Sequence, residues 1–249
     1  MNQIIETILN HRSIRKFEDK PLSEEQIEKI IACAQSASTA SYIQAYTIIG
    51  VTDKGKKEKL AELAGNQAYV AENSIFLVFC GDLHRLELAG KMEELDVTAS
   101  LESTEKFMVA LIDAALAAQN AAIAAESMGL GLCYIGGIRN NLSEVQKLLK
   151  TPERVIPLFG VAIGYPAKMT DKKPRLPMSN IYHENEYKQN EEQFVAELTE
   201  YNDVISSYYE SRTKGKRKDR WTEQMANMLQ QKSRMYMKEY VQANKFDLK

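Results

Sequence analysis

Two short runs of residues carry the side chains that an anion site needs. His11-Arg12-Ser13-Ile14-Arg15 lies early in the sequence, and Lys173-Pro174-Arg175 lies far downstream. A guanidinium offers a planar fork of donors that matches phosphate oxygens, and a lysine adds a compact point charge. With Ser13, the two runs contain the set that binds a phosphate ester. The plainer reading is a solvated helix end with ordinary surface cations. A third run, residues 212–220, holds six cations in nine residues. It reads as a solvated loop, as a nucleic-acid contact through phosphates, or as a receiver for the phosphate of a mobile cosubstrate such as NADPH. No aromatic residue interleaves its charges and Asp219 interrupts them, which argues against a stacking platform for single strands. Gly136-Gly137 reads as an ordinary strand-to-loop turn, or as a place where absent side chains let a flat ring lie against the backbone.

Other chemistries lack their residues. The histidines, His11, His84 and His183, do not pair at metal-ligand spacing, and no C-x-x-C is present. There is no G-x-S-x-G elbow. Gly129-Leu130-Gly131 precedes a strand, whereas a dinucleotide-binding glycine loop follows one. A net charge of −2 gives no overall pull toward nucleic acid or anionic membranes. Met1 to Leu9 has an amphipathic helix pattern and not that of a signal peptide. No stretch is expected to span a membrane, since Asp113, Gln119 and Asn120 interrupt the most apolar one, 107–125. Cys33, Cys80 and Cys133 are odd in number and sit in apolar contexts, which fits buried thiols in a reducing cytoplasm.

The elements that must position these residues alternate. Ser23-Glu24-Glu25-Gln26 is a capping box, with Leu22 and Ile27 as its hydrophobic staple. The following helix turns Ile27, Ile30, Ile31 and Ala34 inward and ends in the hydroxyl-rich run 36–41. Strands are expected at 46–51, 74–80, 132–135 and 155–163, the last edge or bulged because of Pro157. Helices are expected at 56–63 and, apolar nearly all round, at 105–128, with Gly129 as its stop. Ser143 is placed to cap a further short helix, with Gln146 at the capping-box position. Beyond Pro177 come two helical patterns, 191–210 and 221–243, rich in Tyr and Met. The fold class is α+β: one domain over 1–249, with a core to about 177 and a C-terminal helical excursion over 178–249.

These residues together resemble the nitroreductase superfamily, in its NADPH-dependent flavin reductase and oxygen-insensitive nitroreductase branch. The resemblance runs over essentially the whole chain. It is carried by His11-Arg12-Ser13-Ile14-Arg15-Lys16-Phe17, Ala37-Ser38-Thr39-Ala40-Ser41-Tyr42-Ile43-Gln44, Gln67-Ala68-Tyr69 and Ala118-Gln119-Asn120-Ala121. It continues in Gly129-Leu130-Gly131, Tyr134-Ile135-Gly136-Gly137-Ile138-Arg139-Asn140, Lys173-Pro174-Arg175-Leu176-Pro177, Tyr208-Tyr209, Arg212-Thr213 and Trp221-Thr222-Glu223.

That resemblance implies a central mixed sheet flanked by helices, and an interlocked homodimer with one FMN per subunit at the interface. By the same resemblance, Arg12, Ser13, Lys173 and Arg175 hold the ribityl phosphate, and His11 meets the ribityl end. Ile14 belongs to the same segment. Arg15 supports the N1–C2 carbonyl edge, where a fixed cation stabilises the charge of the reduced flavin. Backbone amides around Ile135, Gly136 and Gly137 face the N5–O4 edge; Ser38, Thr39, Ser41 and Gln67 add polar contacts, with Tyr69 nearby and Ala68 and Tyr134 also among the cofactor-binding residues. Thr39 stands where relatives commonly have serine and keeps the hydroxyl. Arg212 and Arg217 match positions that take the 2′-phosphate of NADPH, and Arg234 one that orients substrate. The implied reaction is a ping-pong cycle without a protein nucleophile. NADPH gives a hydride to flavin N5, and an acceptor then enters the same space. Free FMN, nitroaromatics, quinones, azo dyes and chromate are all candidates. Flavin-dependent dehalogenases and flavin-fragmenting enzymes share the superfamily and remain the alternative enzyme class. A nucleic-acid module built on 212–220 remains the alternative outside it, as does a helical scaffold built on the alanine-rich helix.

Overall fold

A computed structural model describes residues 2–249. Met1, part of the first helical pattern above, lies outside the described residues. The chain divides into two compact units, residues 1–170 with 234–249, and residues 171–233.

The first unit is built on four strands: β1 (Tyr46–Val51), β2 (Ile75–Asp82), β3 (Gly131–Ile135) and β4 (Val155–Gly164), in the order β1-β2-β4-β3. Every pairing among them is antiparallel, where a mixed sheet is expected. The parallel component is a single bridge between Ser13 and Leu132, made by extended chain and not by a named strand. Pro157 sits in a central strand, not at an edge. Its missing donor is tolerated because the register with β2 shifts there, between Phe79 and Cys80.

Period-two alternation gives the sheet two apolar faces. Ile75, Leu77 and Phe79 face a core that includes Ile30 and the alanines of α6 (Thr104–Ser127). Phe76, Val78 and Cys80 face a second core with Leu60, Ala64 and Val145. The first face is covered by α6, on which α2 (Glu24–Gln35) packs in turn, and the second by α3 (Lys54–Leu63) and α7 (Leu142–Leu149). The capping box of α2 forms as expected, with Ser23 accepting from the Gln26 amide and Gln26 accepting from the Ser23 amide. At α7 the cap is Asn141 and not Ser143; Gln146 instead donates to Asn244 Oδ1 at 2.9 Å. Cys33 departs from the expected burial: it is exposed on α2, while Cys80 and Cys133 are buried.

One helix among the described residues, α6, is long and apolar enough to cross a membrane, contrary to the expectation. Of its interruptions, Gln119 is exposed and Asn120 half-buried, but Asp113 is not a surface mark. Asp113 is fully buried and accepts from the backbone amides of Ala40 at 3.0 Å and Ala45 at 2.9 Å. Ala110, Ala114, Ala117, Ala118 and Ala121 lie in the core around it.

The helices α1 (Gln3–Leu9), α4 (His84–Met92) and α5 (Thr98–Leu101) also belong to the first unit. The second unit holds α8 (Glu191–Arg212) and α9 (Trp221–Gln230). The helix expected over 221–243 is two helices. The chain leaves helical geometry after Gln230, and Arg234 takes a positive φ of 52°. From Arg234 onward it belongs to the first unit, where α10 (Met237–Ala243) buries Tyr240 and Val241. The tie at this return is Arg154, buried and paired with Glu87 at 3.1 Å and Glu102 at 3.4 Å while donating to the Lys245 carbonyl.

Candidate active site

In the first unit, one connected patch gathers most of the expected cofactor contacts. Ile14 is its anchor. Its side chain is buried, and its amide donates to the Leu132 carbonyl at 2.8 Å. Gly131 permits this approach, since a Cβ there would meet Ile14 at 2.6 Å. Extended chain on either side of Ile14 then points Ser13 and Arg15 away from the core. Arg15 is exposed, with its guanidinium 5.9 Å from the Tyr69 ring centroid. Neither Arg12 nor Arg15 has a carboxylate partner among the described residues. Arg12 donates instead to the carbonyls of Asn10 at 3.0 Å and Thr170 at 3.3 Å. His11 is engaged by Glu126 of α6 at 2.7 Å, a partner the sequence pattern does not reveal.

The opposite rim comes from β3 and the turn after it. Tyr134 keeps 38 % of its surface exposed, yet partial burial, and then Glu126, pushes its phenol up to about 12. Gly136 and Gly137 open a 3₁₀ turn over Gly136–Asn140. At Gly137 the absent side chain makes room for protein, not for a ring. A Cβ would meet the Ala64 carbonyl oxygen at 2.4 Å and Gln67 Nε2 at 2.6 Å. The Gln67–Tyr69 turn is thereby pressed against the Gly136–Gly137 turn. Tyr69 donates to Gln67 Oε1, and Gln67 donates to the Ala64 carbonyl at 2.6 Å. Ala68 is exposed at the middle of this turn. Arg234 donates to Asn140 Oδ1 through two nitrogens, at 2.9 and 3.0 Å, so the chain return reaches the end of the same turn.

Below the rim lies Cys133, whose thiol is pushed up by burial, an effect opposed by Arg15 and Ser13. Ser38, Thr39 and Ser41 are not hydrogen-bonded to this patch among the described residues. They belong to a segment in which Ser41, Tyr42 and Gln44 all have positive φ, a costly state for residues other than glycine. The buried Asp113 carboxylate brackets that segment through Ala40 and Ala45. An acid midway along an alanine-rich helix is the trace of this in the sequence.

In the second unit, Tyr209 is the organising side chain. Lys173 Nζ lies 5.4 Å and the Arg217 guanidinium 4.5 Å from its ring centroid. Burial alone would raise the Tyr209 phenol, but the hydrogen bond and charge of Lys173, with Gln224 and Arg217, outweigh it and hold it below its ordinary value. Arg175 is exposed in this unit, and the Pro174 carbonyl between the two cations accepts from Tyr201 at 2.9 Å. Arg212 is the last residue of α8, not part of the loop, and donates to Tyr208 at 2.5 Å. Arg217 pairs with Asp219 through two nitrogens; Lys218 pairs with Glu210 at 2.8 Å and Arg220 with Glu223 at 3.3 Å.

Residues 8–165 match the nitroreductase family model, and residues 173–249 match its C-terminal domain model. The chain is 53 % identical over 247 residues to FMN reductase (NADPH) of Bacillus subtilis strain 168, covering 99 % of both chains. The solved structure of NfrA1 from B. megaterium is 64 % identical, with a TM-score of 0.98, over 99 % of this chain and 100 % of that one. The NADPH:FMN oxidoreductase of Vibrio harveyi, solved in complex with NAD+, is 37 % identical with a TM-score of 0.90, over 100 % of both. The chain belongs to the nitroreductase family.

Proposed function

We propose that this protein is an FMN-dependent, NADPH-oxidising reductase of free flavin, nitroaromatics, quinones and similar acceptors. The observation that carries the reading is the patch in the first unit. Ser13 and Arg15 flank the Ile14 anchor, and Arg15 lies over Tyr69, whose turn packs on Gly136–Gly137. Such a patch fits FMN. It offers a phosphate-matching guanidinium at Arg12, a fixed cation at Arg15 and a rigid polar edge, and among the described residues no carboxylate pairs with either arginine. FMN, when bound, supplies two-electron hydride chemistry between NADPH and the acceptor.

The chain's own residues then have separable roles. Arg12 and Ser13 hold the phosphate. Arg15 favours negative charge at the flavin edge. Gln67, Tyr69 and the Gly136–Gly137 turn fix the ring's plane. Arg212 and Arg217 take the 2′-phosphate of NADPH, and Arg234, held on Asn140, borders the acceptor space.

The working form is a homodimer. Large apolar side chains are exposed on α1 (Ile4, Ile5, Ile8, Leu9) and on α6 (Met108, Ile112, Leu116), more than isolated surface residues need. Ser38, Thr39 and Ser41 make no hydrogen bond to the patch among the described residues, which fits their serving a second copy's flavin. The free, buried thiols of Cys80 and Cys133 suit a cytoplasmic setting. The dehalogenase and flavin-fragmenting alternatives are disfavoured because two relatives matched over full length are named as NADPH-linked FMN reductases.

The test is an absorption spectrum of the purified protein, followed by anaerobic addition of NADPH. A bound-flavin spectrum that bleaches supports the reading. A flavin spectrum that persists under NADPH overturns the reductase assignment. A colourless protein that takes up no added FMN overturns the cofactor.

A further inference from the structure

The loop that receives NADPH in the reading above already contains an anion. Asp219 meets Arg217 through the guanidinium Nε, at 2.8 Å, and a terminal nitrogen. Those two donors form the fork that a phosphate would use. The carboxylate is itself positioned, because Gln224 of α9 donates to the same Asp219 oxygen at 2.8 Å. The guanidinium is held from below by the Tyr209 ring. Arg217, chiefly through its hydrogen bond, holds the Asp219 carboxyl below its ordinary range, so it carries its charge at neutral pH. The neighbouring cations are matched as well, Lys218 by Glu210 and Arg220 by Glu223, but each of these pairs leaves Arg217 untouched.

We propose that Asp219 is a specificity-determining residue of the cosubstrate site: an internal surrogate for the 2′-phosphate that occupies Arg217 and must yield it before NADPH binds. This rests on the assignment of Arg217 to the 2′-phosphate. Exchange of one anion for another on a single fork has two consequences. The incoming phosphate displaces a carboxylate already bonded, so part of its interaction with Arg217 is offset. The displaced carboxylate stays close by and repels it. NADH, with a neutral 2′-hydroxyl, requires no exchange. Asp219 therefore narrows the preference for NADPH and speeds release of NADP+, since a counter-ion stands ready to take the arginine back. Asp219 acts through Arg217 and touches no reacting atom; it is a positioning residue.

The experiment compares Asp219→Asn, Asp219→Glu and Arg217→Ala in the FMN-loaded protein. Michaelis constants are measured for NADPH and NADH. Binding of adenosine 2′,5′-bisphosphate and of adenosine 5′-monophosphate is followed by calorimetry, which needs no turnover. Asp219→Asn is expected to lower the NADPH Michaelis constant roughly two- to five-fold, the range of an exposed ion pair. It should tighten the bisphosphate by the same factor and leave NADH and the monophosphate unchanged. Asp219→Glu, which keeps the charge, should return the parent selectivity. Unchanged or weaker binding of NADPH and the bisphosphate in Asp219→Asn, with Arg217→Ala still weakening both, overturns the proposal and leaves the role of Arg217 standing. Equal tightening of the monophosphate also overturns it. Arg217→Ala without effect on either phosphate ligand overturns the underlying assignment and the proposal with it.

Discussion

The arginines of residues 11–15 and those of residues 212–220 are chemically the same, and their surroundings are opposite. Arg12 leans on backbone carbonyls and Arg15 on an aromatic ring, beside a segment pinned to β3 by Ile14. In the second region Arg217, Lys218 and Arg220 each hold a carboxylate, and Arg212 a phenol. The first arrangement leaves positive charge uncompensated on a rigid frame, which suits a ligand that stays. The second keeps its own counter-ions at hand on exposed chain, which suits a ligand that comes and goes. Charge count alone does not separate a resident site from an exchange site; the partners of the charges do.

The largest effect that would break this contrast concerns rigidity. Asp113→Ala leaves two backbone amides without their acceptor in the core and is expected to cost about 3 kcal/mol, read by urea unfolding of the FMN-loaded protein. Lys218→Ala, in the exchange region, should change the same measurement by less than about 1 kcal/mol. Comparable losses would erase the distinction. Next, Arg12→Ala is expected to weaken FMN roughly 10- to 100-fold, as removal of a charge-assisted phosphate contact does, seen by fluorescence titration of apoprotein. Arg15→Ala should lower the flavin potential and slow hydride uptake by about tenfold or more in stopped flow. An unchanged potential in a spectroelectrochemical titration would remove the role given to Arg15. The smallest effect belongs to the loop. Arg212→Ala combined with Arg217→Ala should raise the NADPH Michaelis constant by about tenfold and the NADH constant far less, because the Tyr208 phenol and the Asp219 carboxylate already satisfy part of each cation. Equal changes in both constants would mean that the loop does not read the 2′-phosphate.

Much of this was legible in residues, and the gaps have physical causes. The Ser23 capping box, the strand alternation and the Gly129 stop are local signals, and local signals survive into the fold. Asp113 reads only as an interruption of an apolar helix, because its partners, the amides of Ala40 and Ala45, are distant in sequence and carry no side-chain signature. The break at 231–236 has neither proline nor glycine to announce it; the chain turns because Arg234 and Tyr236 bind Asn140 and the Arg139 carbonyl. Gly137 was legible as special but for a different reason, since the space it leaves is filled by Ala64 and Gln67. Asp219 looked like a flaw in a basic run, and its meaning depends on which nitrogen atoms it touches.

The carboxylate of Asp113 has a kinetic consequence. Two amides five residues apart, Ala40 and Ala45, depend on one buried acceptor and on nothing else in common. In hydrogen–deuterium exchange they should behave as a single clock: neither is released unless the hydroxyl-bearing segment detaches from α6 as a whole. Their shared exchange rate would therefore report how often that segment lets go, and the same opening would carry Ser41 out of its left-handed backbone state.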